Sequence, residues 1–192
     1  TEYGAVLMDP PYHAHAFDGA LMQIYNAGVK ENAGIFSQSQ GWLILAEALL
    51  GHGERAFTYF KENAPSFQND RAEIRGIEPY CYGQFTEGKA SPQFGRSHVH
   101  WLTGTASTVM VGCVEGILGI RPELHGIRLS PAIPRELEIW KDFRGKKLHI
   151  TVRNPDGKES GGTRLLVNGK VQPGNDIPEE LLTETCEMEL TL

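Results

Sequence analysis

The segment HVHWLTGTAS, residues 98–107, places hydroxyl groups and a glycine directly before an apolar run. The first turn of a helix leaves backbone N–H groups without partners, so a Thr103-Gly104-Thr105 turn at a helix start could bind an anion. The alternative is structural, with Thr103 capping the helix and Gly104 permitting close packing. The stretch lacks a full phosphate-loop pattern, so taken alone it favours the structural role.

Four histidines form two His-x-His pairs, His13 with His15 and His98 with His100. On a strand, each pair would point two imidazoles to one face, which could bind a metal ion in a metal hydrolase. Neither pair has a carboxylate or a cysteine cluster at a metal-site spacing. We therefore predict no metal and no organic cofactor, and we interpret these histidines as polar loop residues.

The segment NDRAEIRGIEPY, residues 69–80, carries Asp70, Glu73 and Glu78 among arginines. Paired carboxylates could cleave a glycosidic bond, but such a cluster also occurs as an ion-pair network that orients a loop. Aromatic side chains nearby could stack on sugar rings or only pack against the protein; they are Tyr80, Tyr82 and Trp101. The residues alone leave these alternatives open.

The spacing of apolar residues predicts an α+β chain. Helices are predicted at 42–50, at 54–64 and at about 100–118, with a long polar stretch over 66–97. Strand alternation at 147–153 and 186–192, with an Asn168-Gly169 hairpin turn, predicts a small antiparallel β domain over 123–192.

Composition and charge exclude several classes of function. Hydrophobic residues make up 40% and charged residues 22% of the 192 residues, and the net charge of -6 disfavours a nucleic-acid surface. No stretch approaches the roughly 20 apolar residues of a membrane span. Three unpatterned cysteines favour a reducing compartment, so we predict a cytoplasmic protein. The start at Thr1, without an initiator methionine or a signal peptide, suggests a piece of a longer chain.

Several long segments together resemble the inverting disaccharide phosphorylases of glycoside hydrolase family 94. The resemblance covers essentially the whole chain in the same order. Its segments are VKENAGIFSQSQGW (29–42), QNDRAEIRGIEPYCYGQF (68–85), HWLTGTAS (100–107), RLSPAIP (128–134), FRGKKLHITVRNP (143–155) and the NGK hairpin (168–170).

The resemblance implies both a fold and a reaction. Residues 1–122 would form the last helices of an (α/α)6 barrel, and residues 123–192 an antiparallel β-sandwich-like C-terminal domain. The family are hexosyltransferases that cleave a β-glucosidic bond with inorganic phosphate and release α-glucose 1-phosphate, phosphate taking the place of water. The expected partners are a cello-oligosaccharide, phosphate, the N-terminal remainder of the enzyme and a second copy in a homodimer. The catalytic Asp would lie upstream of Thr1, so no catalytic residue is assigned to this chain.

The resemblance also assigns site residues. Those matching phosphate ligands are Gln38, Thr103 and Gly104, and those matching sugar ligands are Lys30 and Gln84, with Glu31 and Glu78 as supporting residues. The family commonly has a histidine at the position of Gln38; an amide can donate to phosphate but carries no charge. This departure favours a cellodextrin phosphorylase. The alternatives are a cellobiose or chitobiose phosphorylase and, from another class, a noncatalytic carbohydrate-binding module.

Overall fold

The computed structural model describes residues 1–13 and 21–192, so His15 of the first histidine pair lies outside the described residues. The contacts divide the chain into two compact units. One comprises residues 1–44 and 58–111, and the other residues 45–57 and 112–192. The domain boundary between 122 and 123 stays a prediction, as does the (α/α)6 barrel.

The first unit is built around a small antiparallel sheet of order β1-β2-β3, formed by β1 (Ile35–Phe36), β2 (Gly83–Thr86) and β3 (Ser97–His100). Among the described residues, the α-helices are α1 (Ser37–Leu49), α2 (Gly53–Asn63), α3 (Ala72–Arg75) and α4 (Thr105–Val111). Short 3-10 turns occur at Leu21–Ile24, Pro65–Phe67 and Asn69–Arg71. The predicted polar stretch over 66–97 therefore contains regular structure.

Two helix starts differ from the sequence prediction. Helix α1 begins at Ser37, before the predicted residue 42, because its first turn is polar; within it, buried Gln40 exchanges two hydrogen bonds of 2.9 Å with the backbone of Ala5. Apolar periodicity cannot detect such a residue. Helix α4 begins at Thr105 and not near residue 100, because His98 and His100 belong to β3. Residues Gly112–Ile117 continue α4 as a π-helix.

Helices α1 and α4 approach each other backbone to backbone. A Cβ atom added to Gly41 would lie 2.3 Å from the carbonyl carbon of Thr108. The hydroxyl of Thr108 donates to the carbonyl oxygen of Gln38 at 2.9 Å. Only glycine at position 41 permits this contact, which ties the first turn of α1 to α4.

The second unit contains two sheets, of order β10-β5-β4 and β6-β7-β11-β8-β9. The strands are β4 (Ile120–Glu123), β5 (Gly126–Leu129), β6 (Leu137–Phe143), β7 (Lys146–Arg153), β8 (Arg164–Val167), β9 (Lys170–Gln172), β10 (Asp176–Pro178) and β11 (Thr185–Thr191). A 3-10 turn spans Glu179–Leu181. The Asn168-Gly169 hairpin is confirmed, with φ of 49° and 76° as a type I′ turn requires.

One strand pair corrects the prediction of a purely antiparallel domain. Strand β11 pairs with β7 in parallel and with β8 in antiparallel orientation. Alternation of apolar residues predicts which face of a strand is buried, but it does not predict the direction of the neighbouring strand. The other pairs in both sheets are antiparallel.

Both sheets of the second unit contribute to one hydrophobic core. Ile127 and Leu129 of the smaller sheet lie in the same cluster as Leu148, Ile150 and Leu190 of the larger sheet. This arrangement is sandwich-like, because each sheet buries one face against the other. Among residues 1–13 and 21–192, no helix is long and apolar enough to cross a membrane.

Candidate functional site

The topology of the first unit brings two helix starts to one edge of its sheet. Strands β1 and β3 both pair antiparallel to β2, so they run in the same direction. Helix α1 follows β1 directly, and α4 follows β3 after a four-residue connection. The first turns of both helices therefore lie at the same edge, where β2 begins.

This edge brings Gln38 and Gly104 together, as predicted for two phosphate ligands. A Cβ atom on Gly104 would lie 3.3 Å from Nε2 of Gln38 and 3.5 Å from its Cδ, so the amide lies directly against the glycine. Within the described part of the chain, the Gln38 amide has no hydrogen-bond partner. Its two N–H donors are available to a ligand.

The Thr103 hydroxyl is oriented by the start of α4. Its Oγ1 accepts from the backbone N–H of Thr105 at 3.2 Å and lies 2.6 Å from Thr105 Oγ1. Thr105 is completely buried. When its hydroxyl donates to Thr103, both acceptor positions of Thr103 are filled and the Thr103 O–H can donate outward. The capping role and the anion-binding role of Thr103 are thus compatible.

Glu78 and two aromatic residues form the next part of the site. Trp101 Nε1 donates to Glu78 Oε1 at 3.4 Å, and His100 Nδ1 lies 3.7 Å from Oε2 of the same carboxylate. That Oε2 atom is buried without a hydrogen-bond partner. Tyr80 and Trp101 are 71% and 61% exposed, with ring centroids 5.8 Å apart. This is an exposed aromatic surface beside a carboxylate that can accept from a hydroxyl group.

Gln84 lies at the same sheet edge, near the start of α1. The register pairs Phe36 with Phe85, so the preceding residue of β2 lies level with Ser37, the first residue of α1. Gln84 is half-buried between two buried neighbours, Gly83 and Phe85. The sheet therefore brings the predicted sugar ligand to the same edge as Gln38.

Lys30 and Glu31 lie in a tight loop at the other end of the sheet. The backbone N–H of Gly88, just past β2, donates to the carbonyl oxygen of Gly28 at 2.8 Å. Lys30 Nζ lies 5.3 Å from the centroid of the Tyr25 ring. Glu31 has a buried Oε2 atom without a hydrogen-bond partner. No described contact joins this pair to Gln38, so their role as sugar ligands stays a prediction.

Strained backbone borders both groups of predicted ligands. Lys30 and Ala33 have φ of 47° and 64°, and Val99 and Trp101 have φ of 55° and 68°. A positive φ is rare for residues other than glycine, above all for β-branched valine. Such strain persists only where surrounding contacts impose it, and it clusters at functional sites.

Sequence reasoning missed a buried carboxylate that fixes β3. Glu87 is 6% exposed; its carboxylate lies 2.6 Å from His98 Nε2 and accepts from the hydroxyl of Ser91. His98 also stacks on Phe85 with centroids 4.9 Å apart. His98 and His100 therefore meet different carboxylates, and no group of three or more His, Cys, Asp or Glu within residues 1–13 and 21–192 could hold a metal ion. No periodic signal marks Glu87 as buried.

Cys81, next to the aromatic surface, is not an activated nucleophile. Burial raises the pKa of its thiol, which donates to the carbonyl oxygen of Tyr82 at 3.3 Å. A thiol with a raised pKa is a poor nucleophile. Cys113, in the second unit, has a pKa raised to about 11 by burial. All three cysteines are free.

Comparison with known proteins identifies relatives with named activities. An N,N'-diacetylchitobiose phosphorylase of Vibrio furnissii is 38% identical over 88% of this chain and 22% of its own length. A second one, of Vibrio proteolyticus, is 35% identical over 93% of this chain and 23% of its own. A solabiose phosphorylase of Paenibacillus borealis is 28% identical over 99% of this chain and 25% of its own length. The chain thus spans about a quarter of the length of these relatives.

The family model for the catalytic domain of the glycosyl hydrolase 94 superfamily matches residues 1–119. The match includes α1, α4 and the sheet edge between them. On this match and on the identity to the Vibrio relatives, the chain belongs to the glycosyl hydrolase 94 superfamily.

Proposed function

We propose that this chain supplies part of the phosphate site and part of the sugar site of a phosphorylase acting on a β-linked disaccharide or oligosaccharide. The observation that carries the proposal is the contact between the Gln38 amide and Gly104, 3.3 Å from a Cβ position on the glycine. Two segments distant in the sequence meet there, with the Thr103 hydroxyl beside them. The phosphorylase relatives support the same reaction class.

The donors at this edge match a phosphate oxygen. The Gln38 amide offers two N–H groups and Thr103 one O–H, and hydrogen bonds to a charged acceptor are stronger than those to a neutral one. Gly104 leaves space for an anion to approach the backbone. A glutamine supplies no positive charge, so we propose that cationic phosphate ligands come from the remainder of the enzyme.

In the proposed reaction, a phosphate oxygen attacks the anomeric carbon from the side opposite the glycosidic oxygen. A new C–O bond to phosphate forms as the glycosidic C–O bond breaks, and the configuration inverts. The departing oxygen takes a proton from a general acid, which we place in the N-terminal remainder. Gln84 and Glu78 would bind sugar hydroxyl groups. Lys30 and Glu31 are the other two proposed sugar-binding residues.

Two sugar classes are candidates. Gln38 in place of the more common histidine favours cello-oligosaccharides, cleaved to α-glucose 1-phosphate and a shortened chain. N,N'-diacetylchitobiose is the second candidate, because the two Vibrio relatives are named as phosphorylases of this sugar. A homodimer and a cytoplasmic location stay predictions.

The reaction is tested with the full-length enzyme, inorganic phosphate and a panel of cellobiose, cellotriose and N,N'-diacetylchitobiose. We expect a sugar 1-phosphate that forms only when phosphate is present, and the sugar that reacts fastest identifies the substrate. Sugar binding without any phosphate-dependent product would contradict the proposal and favour a noncatalytic carbohydrate-binding protein. Loss of activity with a chelator would favour the metal hydrolase.

The phosphate ligands are tested with Thr103→Val, which keeps the shape of the side chain but removes its hydroxyl. We expect weaker phosphate binding by about 1–3 kcal/mol, measured as a raised phosphate KM with a smaller change in sugar KM. Ser107→Ala is the matched control, because Ser107 is an exposed α4 residue whose hydroxyl donates to the Gly104 carbonyl at 2.8 Å. Equal effects of the two substitutions would remove Thr103 from the site.

A further inference from the structure

One face of the five-stranded sheet of the second unit carries an ordered aromatic cluster on β6 and β7. Trp140 on β6 is 68% exposed. Its ring stacks on the imidazole of His149, its cross-strand partner on β7, with centroids 3.8 Å apart and an interplanar angle of 7°. An exposed tryptophan held in one orientation is unusual, because a free surface side chain gains rotamer entropy.

Two carboxylates hold the imidazole in place. His149 Nε2 lies 2.9 Å from Glu138 Oε1, and Nδ1 lies 2.6 Å from Glu187 Oε2. A carboxylate only accepts hydrogen bonds, so both ring nitrogens donate and the imidazole is cationic. Three strands thus contribute to one network that fixes the plane of Trp140.

One face of the indole remains open. His149 covers the face toward β7, and β6 is the edge strand of this sheet. The exposed area of Trp140 therefore lies on the opposite ring face, at the sheet edge. Shallow depressions lie beside this network along the row of Glu138, Thr151 and Glu189, with volumes of about 290 and 130 Å³. The polar lining of the larger one is Glu136, Glu138, Thr151 and Arg153, and that of the smaller one is Thr151, Glu187 and Glu189.

We propose that this face is an accessory carbohydrate-binding site in which a pyranose ring stacks on Trp140 and its hydroxyl groups donate to Glu138 and neighbouring acceptors. The C–H face of a pyranose is apolar and fits a flat indole, while its hydroxyls match acceptors at the rim. A preorganised aromatic ring loses little entropy when it binds.

Other ligand classes fit the face less well. The carboxylates nearest to Trp140 and His149 on this face, Glu138, Glu187 and Glu189, disfavour an anionic ligand there, whereas the cationic Lys147 and Arg153 lie at the two ends of the same row of β7. A cation would compete with the His149 imidazolium, which already pairs with Glu138 and Glu187 and stacks on the Trp140 ring. A neutral polyol meets neither penalty.

The test is a titration of the 192-residue chain with cellotetraose and with chitotriose. The indole N–H signals of its three tryptophans are followed by NMR and assigned with single Trp→Phe variants. We expect the Trp140 signal to shift saturably, and calorimetry to show roughly tenfold weaker binding in Trp140→Ala, as expected for loss of an aromatic anchor. His149→Ala should weaken binding in the same direction.

Val171→Ala is the matched control, because Val171 is an exposed apolar residue of β9, at the opposite edge of the same sheet. It should keep wild-type affinity. Gln38→Ala should leave the Trp140 shift unchanged, so failure here is separable from failure of the proposed phosphorylase function. An unshifted Trp140 signal, or equal affinity of Trp140→Ala and wild type, would overturn the proposal. If the chain self-associates, Trp140→Ala abolishes that self-association and sugar has no effect on the Trp140 signal, the sugar proposal is overturned. The ligand of this face would then be a second copy of the chain.

Discussion

Replacing Gly104 by alanine tests whether the glycine and Gln38 act as one phosphate site. The added methyl would lie 3.3 Å from Nε2 and 3.5 Å from Cδ of Gln38. This spacing is tighter than ordinary contact, and the neighbour is the end of a flexible side chain rather than backbone. The amide would therefore move by a few tenths of an ångström, away from the position in which it donates.

The expected magnitude follows from the hydrogen bond at risk. A hydrogen bond to a charged group contributes about 1.5–3 kcal/mol, so Gln38→Ala should raise the phosphate KM roughly 10- to 150-fold. Gly104→Ala displaces the amide without removing it, so we expect the low end, about tenfold. The free energy of unfolding should change little. Alanine raises it by about 0.4–1 kcal/mol because it restricts the unfolded chain, but alanine at a helix start lowers it by a similar amount.

The assay is a double-mutant cycle on the phosphate KM of the full-length enzyme, with thermal unfolding as the control for folding. If the methyl acts only by moving Gln38, Gly104→Ala should have no further effect in the Gln38→Ala background. Additive effects of the two substitutions would refute the reasoning, because they would show that Gly104 and Gln38 contribute to phosphate binding separately.

Three further predictions concern stability. Gly41→Ala should lower the free energy of unfolding by about 3 kcal/mol in urea titration, because the new Cβ would lie 2.3 Å from the Thr108 backbone; a variant as stable as wild type would contradict that close approach. Glu87→Ala should cost about 2–3 kcal/mol in the same assay, since it leaves His98 without its carboxylate, whereas Glu87→Gln should cost less. Hydrogen bonding to Glu138, and then to Glu187, raises the pKa of His149 above its ordinary 6.5. The stability it contributes should be complete below pH 6.5 and lost as pH rises through the raised pKa, and His149→Gln should remove that part of the pH profile.

Local sequence patterns predicted the elements better than their contacts. The hairpin at Asn168-Gly169 follows from the turn chemistry of two residues, and strands β7 and β11 follow from alternation. The parallel pairing of those strands, in contrast, depends on where β11 enters the sheet. No property of its own residues determines that position.

The candidate site shows the same limit. Thr103 and Gly104 are recognisable as a helix start, but their contact with Gln38 joins positions 66 residues apart along the chain, counted from Gln38 to Gly104. That contact depends on β1 and β3 running in the same direction and on Gly41 admitting α4. Composition and spacing alone favoured the helix cap over the anion site. The family resemblance supplied the ligand assignment, and the structure supplied the geometry.

The most direct test of the central claim is a crystal structure of the full-length enzyme with phosphate bound. We predict phosphate oxygens within about 3 Å of Gln38 Nε2 and of the Thr103 hydroxyl, the usual hydrogen-bond distance, with the anion against Gly104. Phosphate bound elsewhere in the active site, with no contact to either side chain, would contradict it.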